Sequence, residues 1–135
     1  MSSTVLPGEL AVSISNAVVH LLSQYTGRGP TKARTYISDD LISVVLRDTL
    51  TQGERSLIAD GKRDLVLGTR KAYQDAMGPD LIAAVEARSG REVLAFLSST
   101  HIDPDVAIES FVLRPRPQAH AAGERAASGA APGEA

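Results

Sequence analysis

The chain of 135 residues has no cysteine and no tryptophan, and both absences exclude classes of function. Without thiols there is no cysteine nucleophile, no disulfide framework and no zinc site built on thiolate ligands. Three tyrosines and two phenylalanines are too few for the aromatic platform on which single-stranded nucleic acid stacks. We therefore expect no nucleic acid among the partners.

The sequence also lacks a strong net charge and a long apolar run. A formal charge of -2 gives no general attraction to nucleic acid or to an anionic membrane surface. The longest uncharged stretch, residues 10–27, is interrupted by Ser, Asn, His and Gln, whereas a bilayer span needs about 20 mainly apolar residues. No basic segment precedes an apolar run at the N-terminus. We predict a cytoplasmic protein without direct membrane insertion.

Composition divides the chain into three parts. Residues 114–135 are rich in Ala, Pro and Gly and bury too little apolar area to offset the entropy of ordering, which predicts a disordered tail. Residues 1–9 are predicted to be a flexible N-terminus. The remaining residues, 10–113, are of ordinary length for one domain with its own core.

Apolar residues at helical spacing predict a first helix from Leu10 to Tyr25, followed by Gly27 as a left-handed stop. Val12 and Val19 form a second apolar strip on this helix, which favours a homodimer. Two β-rich runs, 33–38 and 41–47, flank an Asp-Asp pair that suits a hairpin turn.

The remaining elements are a helix pair and a second hairpin. Thr51 and Glu54 form a capping box, and the helix that begins there is predicted to end at Met77, before Gly78-Pro79. A further helix runs to Gly90, and two strands between 91 and 113 flank a turn. The order αββααββ predicts a two-layer α+β fold, in which the two β-hairpins form a four-stranded antiparallel sheet with three helices packed on one face.

The segment after the first helix concentrates positive charge beside a constrained backbone. Its spacing differs from that of a phosphate loop, and it precedes a strand where a phosphate loop precedes a helix. It therefore favours either a simple helix cap and turn or a surface that contacts an anion or an acidic partner. The candidate partner-binding or anion-binding residues are Gly27, Arg28, Gly29, Pro30, Lys32 and Arg34.

The two hairpin turns carry a second candidate polar cluster, provided that the turns lie side by side. Neither turn has the register of a calcium loop, and aspartate is common in turns for backbone reasons. We predict no metal site and no cofactor, and because no nucleophile and base can be paired, we predict no enzymatic activity. The members of this cluster are Asp39, Asp40, His101, Asp103 and Asp105.

Several of these motifs occur together in a known family. The stretches "GRGPTKARTYISDDLISVVLRDTLTQGE" and "SGREVLAFLSSTHIDPDVAIESFVL" resemble the MpsC-like (YbcI-type) family of small bacterial proteins. The similarity covers residues 10–113. Members often carry an acidic residue where this chain has Ser99, which weakens a cation-site hypothesis at that position. The resemblance implies association with a sodium-translocating, membrane-potential-generating system or with inorganic-carbon uptake.

Two hypotheses of different classes follow. In the first, the protein is a non-enzymatic accessory or regulatory module that docks on a membrane transport complex, because without a spanning segment it cannot itself form an ion path. In the second, it is a sensor of a small anion, such as bicarbonate or a phosphorylated metabolite, that uses the Gly27 to Arg34 loop.

Overall fold

The computed structural model describes residues 6–27 and 32–117, and its elements follow the predicted order. Residues 1–5 and 118–135 lie outside the described residues, as do most of the predicted flexible N-terminus and the predicted disordered tail. The elements are α1 (Pro7–Thr26), β1 (Lys32–Ser38), β2 (Leu41–Arg47), α2 (Gln52–Ala59), α3 (Arg63–Ser89), β3 (Val93–His101) and β4 (Val106–Leu113).

The sheet confirms the predicted α+β class. The four strands lie in the order β1-β2-β4-β3, and every neighbouring pair is antiparallel. The two hairpins are therefore joined through β2 and β4. Helices α1 and α3 cover one face of this sheet, where Ile14, Val18, Met77 and Leu81 pack against residues such as Phe111.

Helix α1 begins three residues earlier than the apolar pattern predicts. Pro7 stands in its first turn, a position that needs no backbone N–H. Gly27 ends the helix with a φ of 78°, and its N–H donates to the Ser23 carbonyl. The predicted left-handed stop is therefore present.

The break between the second and third helices was predicted at the wrong place. Helix α2 ends at Ala59, and Gly61, with a φ of 79°, turns the chain into α3. Helix α3 then continues through Gly78 and Pro79 without a break. Proline gives up one helical hydrogen bond, but the helix is held on both sides because Met77 and Leu81 are buried in the same core.

The opposite face of the sheet carries no helix among the described residues. Alternation along β2 and β4 sends every second side chain there, and several large apolar groups remain accessible, with Leu97 58% and Tyr36 51% exposed. We call this surface the open face. Its residues include Lys32, Arg34, Tyr36, Leu41, Ser43, Val45, Arg47, Ile108, Ser110, Val112, Leu97 and Ser99.

Candidate functional site

The structure separates the members of the predicted cationic loop. Gly27 is the cap of α1, and residues 28–31, which include the predicted Arg28, Gly29 and Pro30, lie outside the described residues. Lys32 and Arg34 are the first and third residues of β1 and alternate with the half-buried Ala33. Their side chains therefore belong to the open face.

Arg47 joins these two cations and was missed by the sequence predictions. It stands directly opposite Lys32 in the β1–β2 pairing, and like charges in that position destabilise a sheet. Lys32, Arg34 and Arg47 line one shallow pocket of ≈ 270 Å³. We call these three residues the basic end of the open face.

No carboxylate among the described residues forms an ion pair with the basic end. The Arg34 guanidinium instead makes a cation–π contact, since it lies 5.3 Å from the centre of the Tyr36 ring. The two-residue turn before β2 would have revealed Arg47, because that turn fixes the register of the hairpin and with it the residue opposite Lys32.

The two aspartate-bearing turns do not form one cluster. The turn at Asp39 and Asp40 lies beside Leu113, whose N–H donates to the Asp40 carbonyl. The turn that precedes Val106 lies at the other end of the sheet, because Val106 pairs with Arg47. Asp39 and Asp40 are therefore a sheet length away from His101, Asp103 and Asp105.

Each turn is instead tied to its own surroundings. Arg91 donates to the Asp39 carbonyl and to Asp40 Oδ1, both at 2.7 Å, and to the Arg114 carbonyl at 2.9 Å. One guanidinium thus joins the tip of the first hairpin to the end of β4. At the other turn, His101 Nδ1 donates to the Pro104 carbonyl at 2.9 Å.

Asp105 organises the connection between β2 and α2. Its carboxylate accepts from the Thr49 N–H, the Thr49 hydroxyl and the Leu50 N–H at 3.0–3.1 Å, and it pairs with Arg55 at 3.1 Å. These hydrogen bonds fix the chain just before the helix start. The Asp105 carboxylate therefore has its hydrogen-bond partners within the fold.

The capping box is present and extends into an ion pair between the half-buried Glu54 and the buried Arg70. Thr51 and Glu54 satisfy each other's backbone N–H groups, and the Glu54 carboxylate also accepts from Arg70 at 2.7 and 2.8 Å. Arg70 makes a further hydrogen bond to the Thr49 carbonyl. Burial acts to raise the pKa of Glu54, but the hydrogen bonds from Arg70 and Thr51 outweigh it and leave that pKa below its usual range.

We call Thr49, Glu54, Arg70 and Asp105, with Arg55, the polar network. Next to it lies Glu109, a buried carboxylate that sequence reasoning missed. It stands on β4 between the buried Ala107 and Phe111 and is 1% exposed. Alternation along "VAIESFVL" places Glu109 on the same face as Phe111 and Leu113, but the fold decides that this face is the inner one.

The environment of Glu109 is that of a carboxyl group without a full set of partners. Burial raises its pKa to about 7, and Ser98 and Arg70 offset only part of that effect. Ser98 is its neighbour across the β3–β4 pairing, and the Ser98 hydroxyl has no full hydrogen-bond partner among the described residues. Among the described residues, Glu109 Oε1 has no hydrogen-bond partner.

Two further properties concern membranes and metals. No helix within residues 6–27 and 32–117 has both the length and the apolar character needed to cross a bilayer. In the same ranges, no three His, Asp or Glu side chains converge as a metal-binding group.

The comparisons with known proteins point to one family. The chain has no significant match among curated proteins or solved structures. Residues 7–115 match the family described as the Na+-translocating membrane potential-generating system (MpsC). This match covers both hairpins and all three helices. The chain therefore belongs to the MpsC family.

Proposed function

We propose that this protein is a non-enzymatic accessory or regulatory module that docks on a membrane ion-transport or inorganic-carbon-transport system from the cytoplasm. The observation that carries the proposal is the open face, where the unpaired basic end adjoins exposed apolar side chains. The family description, which names a Na+-translocating system, supports the choice of partner.

The middle of the open face has the composition of a protein-docking surface. Val45 and Ile108 face each other across β2 and β4, as do Leu41 and Val112. The Ser43 and Ser110 hydroxyls, 2.9 Å apart, interrupt this apolar area. Exposed apolar patches with a polar rim mark interaction sites.

The basic end gives this surface a direction. Its cations would attract an acidic partner, raise the association rate and select one orientation on the apolar area. Leaving two like charges opposite each other costs stability, and a partner's carboxylates would offset that cost. We therefore expect the partner to present acidic residues beside an apolar patch.

A photo-crosslinking experiment in the native host tests the docking proposal. The crosslinking residue p-benzoylphenylalanine replaces Tyr36 on the open face, and a matched control replaces Tyr73 on α3. Adducts to a subunit of a membrane transport complex should form from position 36, decrease at high salt, and be absent from position 73. Equal adducts at both positions, or none, would refute docking through this face.

Self-association is the second part of the proposal, since a homodimer is also predicted from the sequence. Val12 on α1 is 60% exposed, so α1 retains an apolar strip outside the core. A dimer held by this strip should dissociate in Val12→Glu and persist in Ile108→Glu, as measured by light scattering. The reverse result would assign the dimer contact to the open face instead.

A small-anion sensor remains the second candidate, because the basic end lines a pocket of ≈ 270 Å³. Bicarbonate or phosphate would then raise Tm above its value in chloride at the same ionic strength. The rise should vanish when Lys32, Arg34 and Arg47 are all changed to Gln. If Tm is the same in bicarbonate, phosphate and chloride, the sensor is excluded and docking is left as the function of the basic end.

A further inference from the structure

A shallow groove lies on the outer side of the helical layer, on the side of the sheet opposite to the open face. It runs between the N-terminal half of α1 and the last turn of α3, and it has a volume of ≈ 590 Å³ and a mainly apolar lining. We call it the α1 groove. Its lining residues are Gly8, Glu9, Val12, Ser13, Asn16 and Arg88.

The outer surface of α1 carries almost no charge. Glu9 is the only Asp, Glu, Lys or Arg among its 20 residues, whereas α3 has eight such residues in 27. A helix face that is exposed to water normally carries charged side chains, and charged residues are depleted at the centre of protein interfaces. With Val12 60% exposed, this surface has the composition of an interface.

The two charged side chains at the groove have no ionic partner. Glu9 and Arg88 are both exposed, and neither forms an ion pair with another described residue. Arg88 donates to the Ala84 carbonyl of its own helix at 3.4 Å. The groove therefore offers one carboxylate and one guanidinium beside an apolar floor.

A surface that presents both an acid and a base suits a second copy of itself. In a twofold dimer the same patch occurs on both sides, so that residue i contacts residue j and residue j contacts residue i. Glu9 of one protomer can then pair with Arg88 of the partner subunit, and this pair occurs twice. The basic end of the open face differs, because its three cations would repel a second copy of themselves.

We infer, on the basis of the proposed self-association, that the α1 groove is the contact surface of a twofold homodimer. Val12 packs into the groove of the second copy, and Glu9 and Arg88 form two reciprocal ion pairs between the protomers. The apolar contact supplies affinity, whereas the ion pairs fix the relative orientation of the two copies.

Charge reversal followed by mixing of full-length variants tests these ion pairs. Glu9→Arg sets cations against each other at both contacts, and Arg88→Glu sets anions against each other, so each variant alone should dimerise at least about tenfold more weakly than the wild type. An equimolar mixture restores opposite charges at both contacts. The mixture should therefore form a heterodimer of twice the monomer mass, measured by size exclusion with light scattering at low ionic strength.

Mixing distinguishes a contact between protomers from one within a protomer. If Glu9 and Arg88 acted on each other inside one chain, each variant would keep its own repulsion and mixing would change nothing. The matched controls are Lys71→Glu and Asp75→Arg, which make the same changes of net charge at an exposed pair on α3, about 20 Å or more along the helix from Arg88. Each control alone should dimerise like the wild type.

Three results would overturn the inference. If the wild type is a monomer at about 100 μM, where even a weak dimer would form, self-association fails together with its contact surface. If Val12→Glu dissociates the dimer but neither charge reversal weakens it, the dimer forms through α1 without these ion pairs. If the two reversed variants remain monomeric after mixing, the charges act within one chain. None of these results bears on docking through the open face, which lies on the other side of the sheet.

Discussion

The charged groups of the polar network and those of the basic end have very different surroundings. In the polar network, Arg70, Glu54 and Asp105 have partners at 2.7–3.1 Å. On the open face, Lys32 and Arg47 stand side by side and pair with no carboxylate among the described residues. Charges that are paired within the fold contribute to its stability. Unpaired like charges do not, and they suggest contact with an acidic partner.

Burial explains why the two groups differ. A charge removed from water must be paired and hydrogen-bonded, or it costs several kcal/mol, and the Arg70 and Glu54 side chains are only 9% and 15% exposed. Lys32, Arg34 and Arg47 are exposed, so water solvates them without a partner. The comparison therefore predicts large effects of mutation on stability in the polar network and small ones at the basic end.

The largest effect is expected when the buried ion pair is broken. Arg70→Ala leaves the half-buried Glu54 carboxylate and the Thr49 carbonyl without their donor and should reduce the free energy of unfolding by about 3 kcal/mol. The control is Lys71→Ala, which removes an exposed pair with Asp75 and should cost about 0–1 kcal/mol. Urea unfolding measures both. Similar losses in the two variants would contradict the contrast between buried and exposed pairs.

The second prediction concerns how the free energy of unfolding depends on pH. Because burial raises the pKa of Glu109 from 4.5 to about 7, the unfolded chain releases this proton at lower pH than the folded chain does. Stability therefore falls as pH rises from 4.5 to 7, and the loss is complete above 7. Glu109→Gln should equal the wild type near pH 4 and exceed it by about 3 kcal/mol at pH 8.

Glu92→Gln provides the control for that profile. In the wild type, the hydrogen bond and ion pair with Arg114 lower the pKa of Glu92. The contribution of Glu92 to stability therefore has the opposite sign to that of Glu109 and is lost as pH falls. A Glu109→Gln stability difference that is the same at pH 4 and pH 8 would show that the folded state does not perturb the Glu109 carboxyl.

The third prediction tests the role of Asp105 in the polar network. Asp105→Asn removes the charge that pairs with Arg55 and places amide hydrogens near the Thr49 and Leu50 N–H groups, which should cost about 1–3 kcal/mol. Asp103→Asn, in the same turn but exposed, should change stability by less than about 0.5 kcal/mol. Urea unfolding of both variants provides the test. Equal losses of stability would show that the hydrogen bonds of Asp105 are not what stabilises this turn.

The smallest effect on stability is expected at the basic end. Changing Lys32, Arg34 and Arg47 to Gln should alter the free energy of unfolding by less than about 0.5 kcal/mol or raise it slightly, because repulsion is relieved. The same change should remove the crosslinks from position 36. A large loss of stability would show that these cations serve the fold, and the comparison would fail.

Local patterns in the sequence predicted most of the elements. Thr51 and Glu54 predicted the start of α2, because a capping box involves only residues in one turn of helix. The Asp39-Asp40 pair predicted the first hairpin, and Asp39 has the positive φ of 47° that a short polar side chain tolerates. The joining of two hairpins into one sheet followed because a lone hairpin is marginally stable.

Errors arose where a local rule competed with packing. Pro79 disfavours a helix interior, yet α3 passes through it because Gly78 packs against the Phe96 ring, only 3.6 Å from the position of an added Cβ, and the core continues on both sides. Strand patterns alone do not single out Arg47 and Glu109, because the role of each depends on which face of the sheet it occupies.

By itself, the sequence determined the order of the helices and hairpins and the class of fold, since capping, turn chemistry and apolar periodicity act over a few residues. Only the tertiary structure decided which charges have partners. The β2–β4 pairing separates the two aspartate turns. Packing of α3 against α2 brings Arg70 to Glu54, whereas Glu109 Oε1 has no hydrogen-bond partner among the described residues. The electrostatic free energy of a charged side chain depends on its burial and on neighbours distant in sequence, and both are set by the fold.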